Sequence, residues 1–221
     1  TYESVEVPST ELADAFLPAY ETSNRIDFAN PTNIGYSAGP EYNGYYKYWA
    51  HRDMLAAASV IDKVEARFAE VFGRKYTGML ESYRAGDADF VIVALGSAAG
   101  LVRGVVDELR AAGKRVGMVR IRYMRPFPTE EIANALMRAR AVAVLEKDIS
   151  FGAEGTVFTN VNSALQRYGV TTPTFNFIGG LGGADISAAQ VEEIFAAMQD
   201  CLDGFGELEP VNFIGIDEQG R

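Results

Sequence analysis

Cysteine and histidine are almost missing from this sequence: its 221 residues include one of each, Cys201 and His51. A single thiol excludes an intrachain disulfide, a Cys-x-x-Cys pair and a Cys-ligated iron–sulfur cluster within these residues. A single imidazole excludes multi-histidine metal sites and leaves one long-range combination for a Cys–His catalytic pair. Positive charge is also scarce, with 20 Lys and Arg against 30 Asp and Glu and a formal net charge of −10. DNA, RNA and anionic membranes are thereby disfavoured as main partners, since each would be repelled. No apolar run reaches membrane-spanning length and no signal-peptide grammar precedes the first residues, so the expected location is cytoplasmic. The first residue is Thr1 rather than Met, which suggests processing or the later part of a longer polypeptide.

What is present is core-forming material: 48% of the residues are hydrophobic, enough for an ordinary buried core. Residues 1–52 read as irregular, because Pro31, Gly35, Gly39, Pro40 and Gly44 interrupt any period. The aromatics Tyr42, Tyr45, Tyr46, Tyr48 and Trp49 make this lead-in a poor candidate for a disordered linker. Residues 53–73 predict one long helix with an inward stripe of Met54, Ala57, Ala58, Ile61, Val64, Phe68, Val71 and Phe72. A polar bridge follows, and a domain boundary is expected near residue 86. From there, apolar strands at 90–95, 116–121, 141–145 and 174–178 alternate with helices at 101–112, 129–138, 153–168 and 187–201. This grammar predicts an α/β fold: an open, mainly parallel sheet flanked by helices on both faces. Residues 202–221 read as a tail whose apolar patch at 211–216 docks back on the body or on a partner.

Open parallel sheets bind ligands beyond the carboxyl ends of their strands, so polar residues there are the first candidates. Gly96 and Ser97 open a helix after a strand and offer either an anion-binding turn or simply a tight one. Arg125, beside Pro126 and Pro128, is suited to a carboxylate or phosphate, or to a structural salt bridge. Glu146, Lys147 and Asp148 leave one strand together, as acid–base groups, as an ion-paired rim, or as a contact with a neighbouring subunit. The 179–183 loop holds four glycines, fit for a phosphate cradle or for close packing, with Asp185 and Ser187 as helix caps. No nucleophile or metal set is spaced to join these groups, so no catalytic, cofactor-binding or metal residue is assigned. The interface candidates are Tyr45, Tyr46, Tyr48, Trp49, His51, Arg125, Glu146, Lys147 and Asp148.

Several stretches together resemble one enzyme family: NRIDFANP, YYKYWAHRD, FGRKY, VIVALGSAAG, KRVGMVRIRYMRPFP, VAVLEKDISFGAEG and FIGGLGG. They are similar to the later part of the α subunit of 2-oxoacid:ferredoxin oxidoreductases, and SFGAEG points to the pyruvate branch. The resemblance implies a complex that uses thiamine diphosphate, Mg2+, 4Fe–4S clusters and coenzyme A. That complex converts a 2-oxoacid to acyl-CoA and CO2 and reduces ferredoxin. It implies that residues 1–85 are the tail of the thiamine pyrimidine-binding domain and residues 86–201 a domain like the C-terminal domain of transketolase. It further implies that this chain binds none of the cofactors alone and has a structural and assembly role. The implied partners are the N-terminal α portion, the β, γ and δ subunits or fused equivalents, and ferredoxin, in a dimer of heteromers. Two other readings stand beside it. One is a stand-alone nucleotide- or phosphate-binding module using Ser97, Arg125 and the 179–183 loop; the other is a transketolase-like enzyme fragment.

Overall fold

The computed structural model describes residues 5–22, 25–31, 33, 35 and 37–216. The chain forms two compact units, Thr1–Gly78 and Met79–Arg221.

The first unit contains α1 (Thr10–Phe16) and α2 (Pro40–Phe72). Ser9 caps α1, its hydroxyl accepting from the Leu12 amide at 3.4 Å. Phe16 then packs edge-on against Phe68 and Phe72 at centroid distances of 5.5 and 5.4 Å. The Arg67 guanidinium donates to the Ala15 carbonyl at 2.8 Å, tying the end of α1 to α2. The expectation of an irregular lead-in up to residue 52, with the helix starting at Asp53, is corrected here. The helix begins at Pro40, whose fixed φ suits a first-turn position. Tyr42, Tyr45, Tyr46 and Trp49 share helical spacing, with Tyr42 stacked on Tyr46 and Tyr45 edge-on to Trp49. Gly44 is simply carried inside the helix, at a cost of about 1 kcal/mol relative to Ala. No residue of α2 is buried, and the expected inward positions Met54 and Val64 are 45% and 48% exposed.

The second unit follows the predicted α/β order with additions at both ends. Its elements are β1 (Leu80–Tyr83), β2 (Phe90–Leu95), α3 (Ala98–Ala111), β3 (Val116–Ile121), α4 (Thr129–Leu136) and β4 (Ala141–Glu146). They continue with α5 (Thr156–Arg167), β5 (Thr174–Ile178), α6 (Ala188–Asp203) and β6 (Val211–Phe213). The sheet order is β1-β3-β2-β4-β5-β6; β1 runs antiparallel to β3 and the other pairs are parallel. The polar bridge thus supplies an edge strand, and the compact unit starts before the expected boundary at residue 86. The apolar patch of the tail docks back as β6, alongside β5.

Alternation along β2 sorts the core. Phe90, Ile92 and Ala94 face Val102, Val105, Ile194 and Met198 from α3 and α6. Val91 and Val93 face Ile132, Leu136, Val161 and Leu165 from α4 and α5. Each fully buried Val, Ile or Leu contributes about 1.5–3 kcal/mol. The order reverses at β2, because α3 leads to β3 on one side while α4 leads back to β4 on the other. The carboxyl ends of β2 and β4 therefore form the switch point of the sheet.

Arg110 fastens the connection between β1 and β2. Its guanidinium donates to the Val116 and Arg84 carbonyls at 2.7 and 2.6 Å and to both oxygens of Asp87 at 2.8 and 2.9 Å. Beneath this fastening, a Cβ on Gly117 would lie 2.6 Å from the Arg84 carbonyl oxygen and 2.7 Å from Ala85 Cα. Both neighbours are backbone and have little room to yield. Gly117→Ala is expected to cost the second unit about 1–3 kcal/mol in urea unfolding. A change below about 0.5 kcal/mol would show that this crossing is loose.

Candidate functional site

Glu146 ends β4 at the switch point and is only 4% exposed. Its Oε2 accepts from the Val157 amide at 2.8 Å, and its Oε1 accepts from the Phe158 amide at 3.1 Å. Asn176, fully buried on β5, donates through Nδ2 to Glu146 Oε1 at 2.9 Å. The Asn176 Oδ1 accepts from the Gly155 amide at 2.8 Å. Asp148 Oδ2 accepts from the Thr156 amide at 3.2 Å. The first amides of α5, which no helical carbonyl can reach, are thus taken up by side chains from β4, β5 and the loop between β4 and α5. The negative carboxylates also lie at the positive end of the helix dipole.

Gly155 is required by the same packing, since a Cβ there would overlap the Glu146 carboxylate. Burial pushes the Glu146 carboxyl above the usual carboxylate range. The Val157 and Phe158 amides and Asn176 pull the other way without reversing it. Asp148, by contrast, is held below its usual range by Thr156.

These contacts correct one expectation. Glu146 is not part of an exposed ion-paired rim; its oxygens are committed to backbone amides and to Asn176. Lys147 and Asp148 remain exposed. Asn176 was missed by sequence reasoning, although an amide side chain inside the apolar strand TFNFI is the signal that marks it.

The other candidates stand apart. Gly96 has φ +57°, a left-handed value that favours glycine, while an added Cβ would meet nothing within 4 Å. Conformation rather than space accounts for that residue. Ser97 is itself helical and makes no side-chain cap. Arg125 donates to its neighbour Met124's carbonyl at 2.6 Å and has no ion pair among the described residues, so the expected salt bridge is not formed.

In the 179–183 loop, a Cβ on Gly179 would run into Ile214. On Gly180 it would lie 2.9 Å from Lys147 Cε. Close packing against the segment after β6 explains Gly179, while the left-handed φ of +70° explains Gly180, since the end of the Lys147 side chain can move aside. Ser187, not Asp185, caps α6: its hydroxyl accepts from the Gln190 amide at 3.2 Å, and Gln190 Oε1 accepts from the Ser187 amide at 2.8 Å. Tyr45, Tyr46, Tyr48, Trp49 and His51 belong to the first unit, exposed along α2. Among the described residues, no group of three or more His, Cys, Asp or Glu is placed to hold a metal, and no helix is long and apolar enough to cross a membrane.

A doubly wound α/β domain whose buried Glu146 carboxylate is bonded to the start of α5 is what the geometry defines. Residues 88–191 match the family of pyruvate:ferredoxin oxidoreductase core domain II. Over 221 residues the chain is 40% identical to the pyruvate synthase subunit PorA of Methanothermobacter thermautotrophicus, covering 100% of this chain and 55% of that protein. It is 37% identical over 210 residues to the ketoisovalerate oxidoreductase subunit VorA of Pyrococcus abyssi, covering 95% of this chain and 53% of that one. A solved split-gene transketolase superposes with a TM-score of 0.45 at 17% identity, covering 59% of this chain and 43% of that one, too weak a likeness to support an argument. The α/β unit carries the core domain II of the pyruvate:ferredoxin oxidoreductase family. The chain spans about half the length of the curated relatives it matches.

Two outcomes follow for Glu146. Glu146→Ala leaves the Val157 and Phe158 amides without their acceptor, and is expected to cost about 2–4 kcal/mol in urea unfolding. A raised folded-state pKa also means that the native state binds this proton more tightly than the unfolded chain does. Stability from this group should then decline as pH rises from the ordinary glutamate value of about 4.3 through the folded-state value. The unfolding free energy of the wild type minus that of Glu146→Gln should fall over that window. A difference that rises with pH would contradict the assignment.

Proposed function

We propose that this chain is a segment of a thiamine-diphosphate-dependent 2-oxoacid:ferredoxin oxidoreductase. The proposed overall reaction takes a 2-oxoacid, coenzyme A and oxidised ferredoxin to acyl-CoA, CO2 and reduced ferredoxin. The observation that supports it most strongly is the 40% identity to a pyruvate synthase subunit along all 221 residues, joined to the core domain II match. The ketoisovalerate relative is nearly as similar, at 37%, so the substrate is named here as a class, the 2-oxoacids.

The residues of this chain do not supply the ligands of a 4Fe–4S cluster, one cofactor of that reaction. A 4Fe–4S cluster takes four thiolates and these residues offer Cys201 alone. The Glu146 and Asp148 carboxylates at the end of β4 accept from amides of α5 rather than standing free for Mg2+. No step is therefore assigned to a side chain here, and the role proposed is support and assembly. In this reading the first unit completes a thiamine pyrimidine-binding domain begun elsewhere, and the second unit braces the core of the complex, a dimer of heteromers, and helps form subunit contacts. The partners would be the remaining α portion and the β, γ and δ subunits or their fused equivalents, with ferredoxin as electron acceptor.

The exposed aromatics support a contact role. Tyr45, Tyr46, Tyr48 and Trp49 are 59%, 44%, 56% and 48% exposed on a helix that buries none of its residues. Aromatic anchors of this kind dominate interface energetics. His51 lies on the same helix, while Arg125, Lys147 and Asp148 are the exposed polar candidates of the second unit.

Mixing the purified chain with the remaining subunits is expected to restore 2-oxoacid- and CoA-dependent reduction of ferredoxin, while the chain alone gives none. Turnover by the isolated chain would overturn the supporting role, and failure of the folded chain to restore turnover would overturn the functional reading. Tyr45→Ala with Trp49→Ala should weaken co-purification with those subunits by about tenfold or more, leaving unfolding of the second unit unchanged. Calorimetric titration with CoA separates the rival reading, because binding by this chain alone would favour a stand-alone module.

A further inference from the structure

A groove of about 740 Å3 opens at the amino ends of β2 and β3, the end of the sheet away from Glu146. Its floor is apolar, formed by Phe90, Val116 and Phe195. One wall is α6, which presents the small residues Ala189 and Ala196 beside the exposed carboxylates Glu192, Glu193 and Asp200. The other wall ends in Lys114 and Arg115. Arg115 is consumed by Asp89, to which it donates at 2.6 and 2.9 Å. That leaves one amine against three carboxylates, and none of the three has an ion pair among the described residues.

An apolar floor asks for hydrophobic side chains, and the acidic wall repels phosphates, nucleotides and acidic peptides. The open side admits a polypeptide backbone, and the volume is sufficient for several side chains of one helical face. We infer that this groove is a docking site for a basic amphipathic helix of another polypeptide chain. Its apolar residues would seat on Phe90, Val116 and Phe195, while its Lys or Arg side chains meet Glu192, Glu193 and Asp200. The inference does not depend on the proposed reaction.

The test uses the full chain and a fluorescein-labelled leucine–lysine helix of about 14 residues, long enough to hold helical form once bound. Binding is read by anisotropy. Glu192→Lys with Glu193→Lys should weaken binding by about tenfold or more, and so should Ala196→Trp, which fills the groove without changing charge. Glu130→Lys with Asp185→Lys, on the same unit but outside the groove, should change it by less than about twofold. Circular dichroism spectra identical to that of the wild type confirm that each variant is folded. Equal weakening by the two charge-reversal pairs would reduce the binding to general attraction by an acidic protein and overturn the site. Full binding by Ala196→Trp would overturn it as well. Wild-type dimers abolished by Ala196→Trp would make the occupant a second copy and overturn the basic-helix assignment.

Discussion

The second unit depends on one interaction, the Glu146 carboxylate at the start of α5. Three N–H groups converge on that carboxylate, two from the helix backbone and one from Asn176. Each comes from an element that hydrophobic packing alone would leave free to slide. With both oxygens engaged, β4, β5 and α5 are held in one register. The arrangement is conditional, because a buried carboxylate is costly unless its lone pairs are used, and burial already raises its proton affinity. Its contribution is largest at the acceptor: loss of the carboxylate would leave the Val157 and Phe158 amides and the Asn176 Nδ2 group without it.

Much of the second unit was legible in the sequence, because its strands are short, continuous apolar runs separated by amphipathic helices. β5 lies at 174–178 as read, and β2 and β3 also keep their expected limits. The edge strands were not legible for a physical reason. β1, LESY, and β6, VNF, each have one neighbour and need only partial burial, so neither carries the dense apolar signal of an inner strand. In the first unit, glycine and proline misled. Pro40 starts α2 rather than ending something before it, and the Tyr and Trp residues that looked like a loop composition repeat at helical spacing.

Sequence reading singled out Glu146 and Asp148 at the carboxyl end of β4, and both accept from the first amides of α5. What spacing cannot show is that their acceptors are satisfied by the amides of the helix that follows. That information resides in Asn176, contributed by a strand that follows α5, and in Gly155, whose missing Cβ lets the carboxylate approach. A polar residue inside an otherwise apolar strand is the sign worth following in such cases, since burying an amide without partners is costly.

Doubly wound sheets usually leave the crevice at the switch point open, and ligands enter it there. In this chain the carboxyl end of β4 is filled from within. Glu146 takes the place that an anion would hold at the start of α5, making the helix its own ligand. The residues EKDISFGAEG then read as a closing device: Glu146 and Asp148 supply acceptors, Gly155 gives clearance, and the intervening loop returns the chain to the helix. An external anion there would compete with a carboxylate that is already covalently tethered and in place. The α/β unit leaves open the apolar and acidic groove at the opposite end of its sheet, and the first unit leaves the aromatic length of α2 exposed.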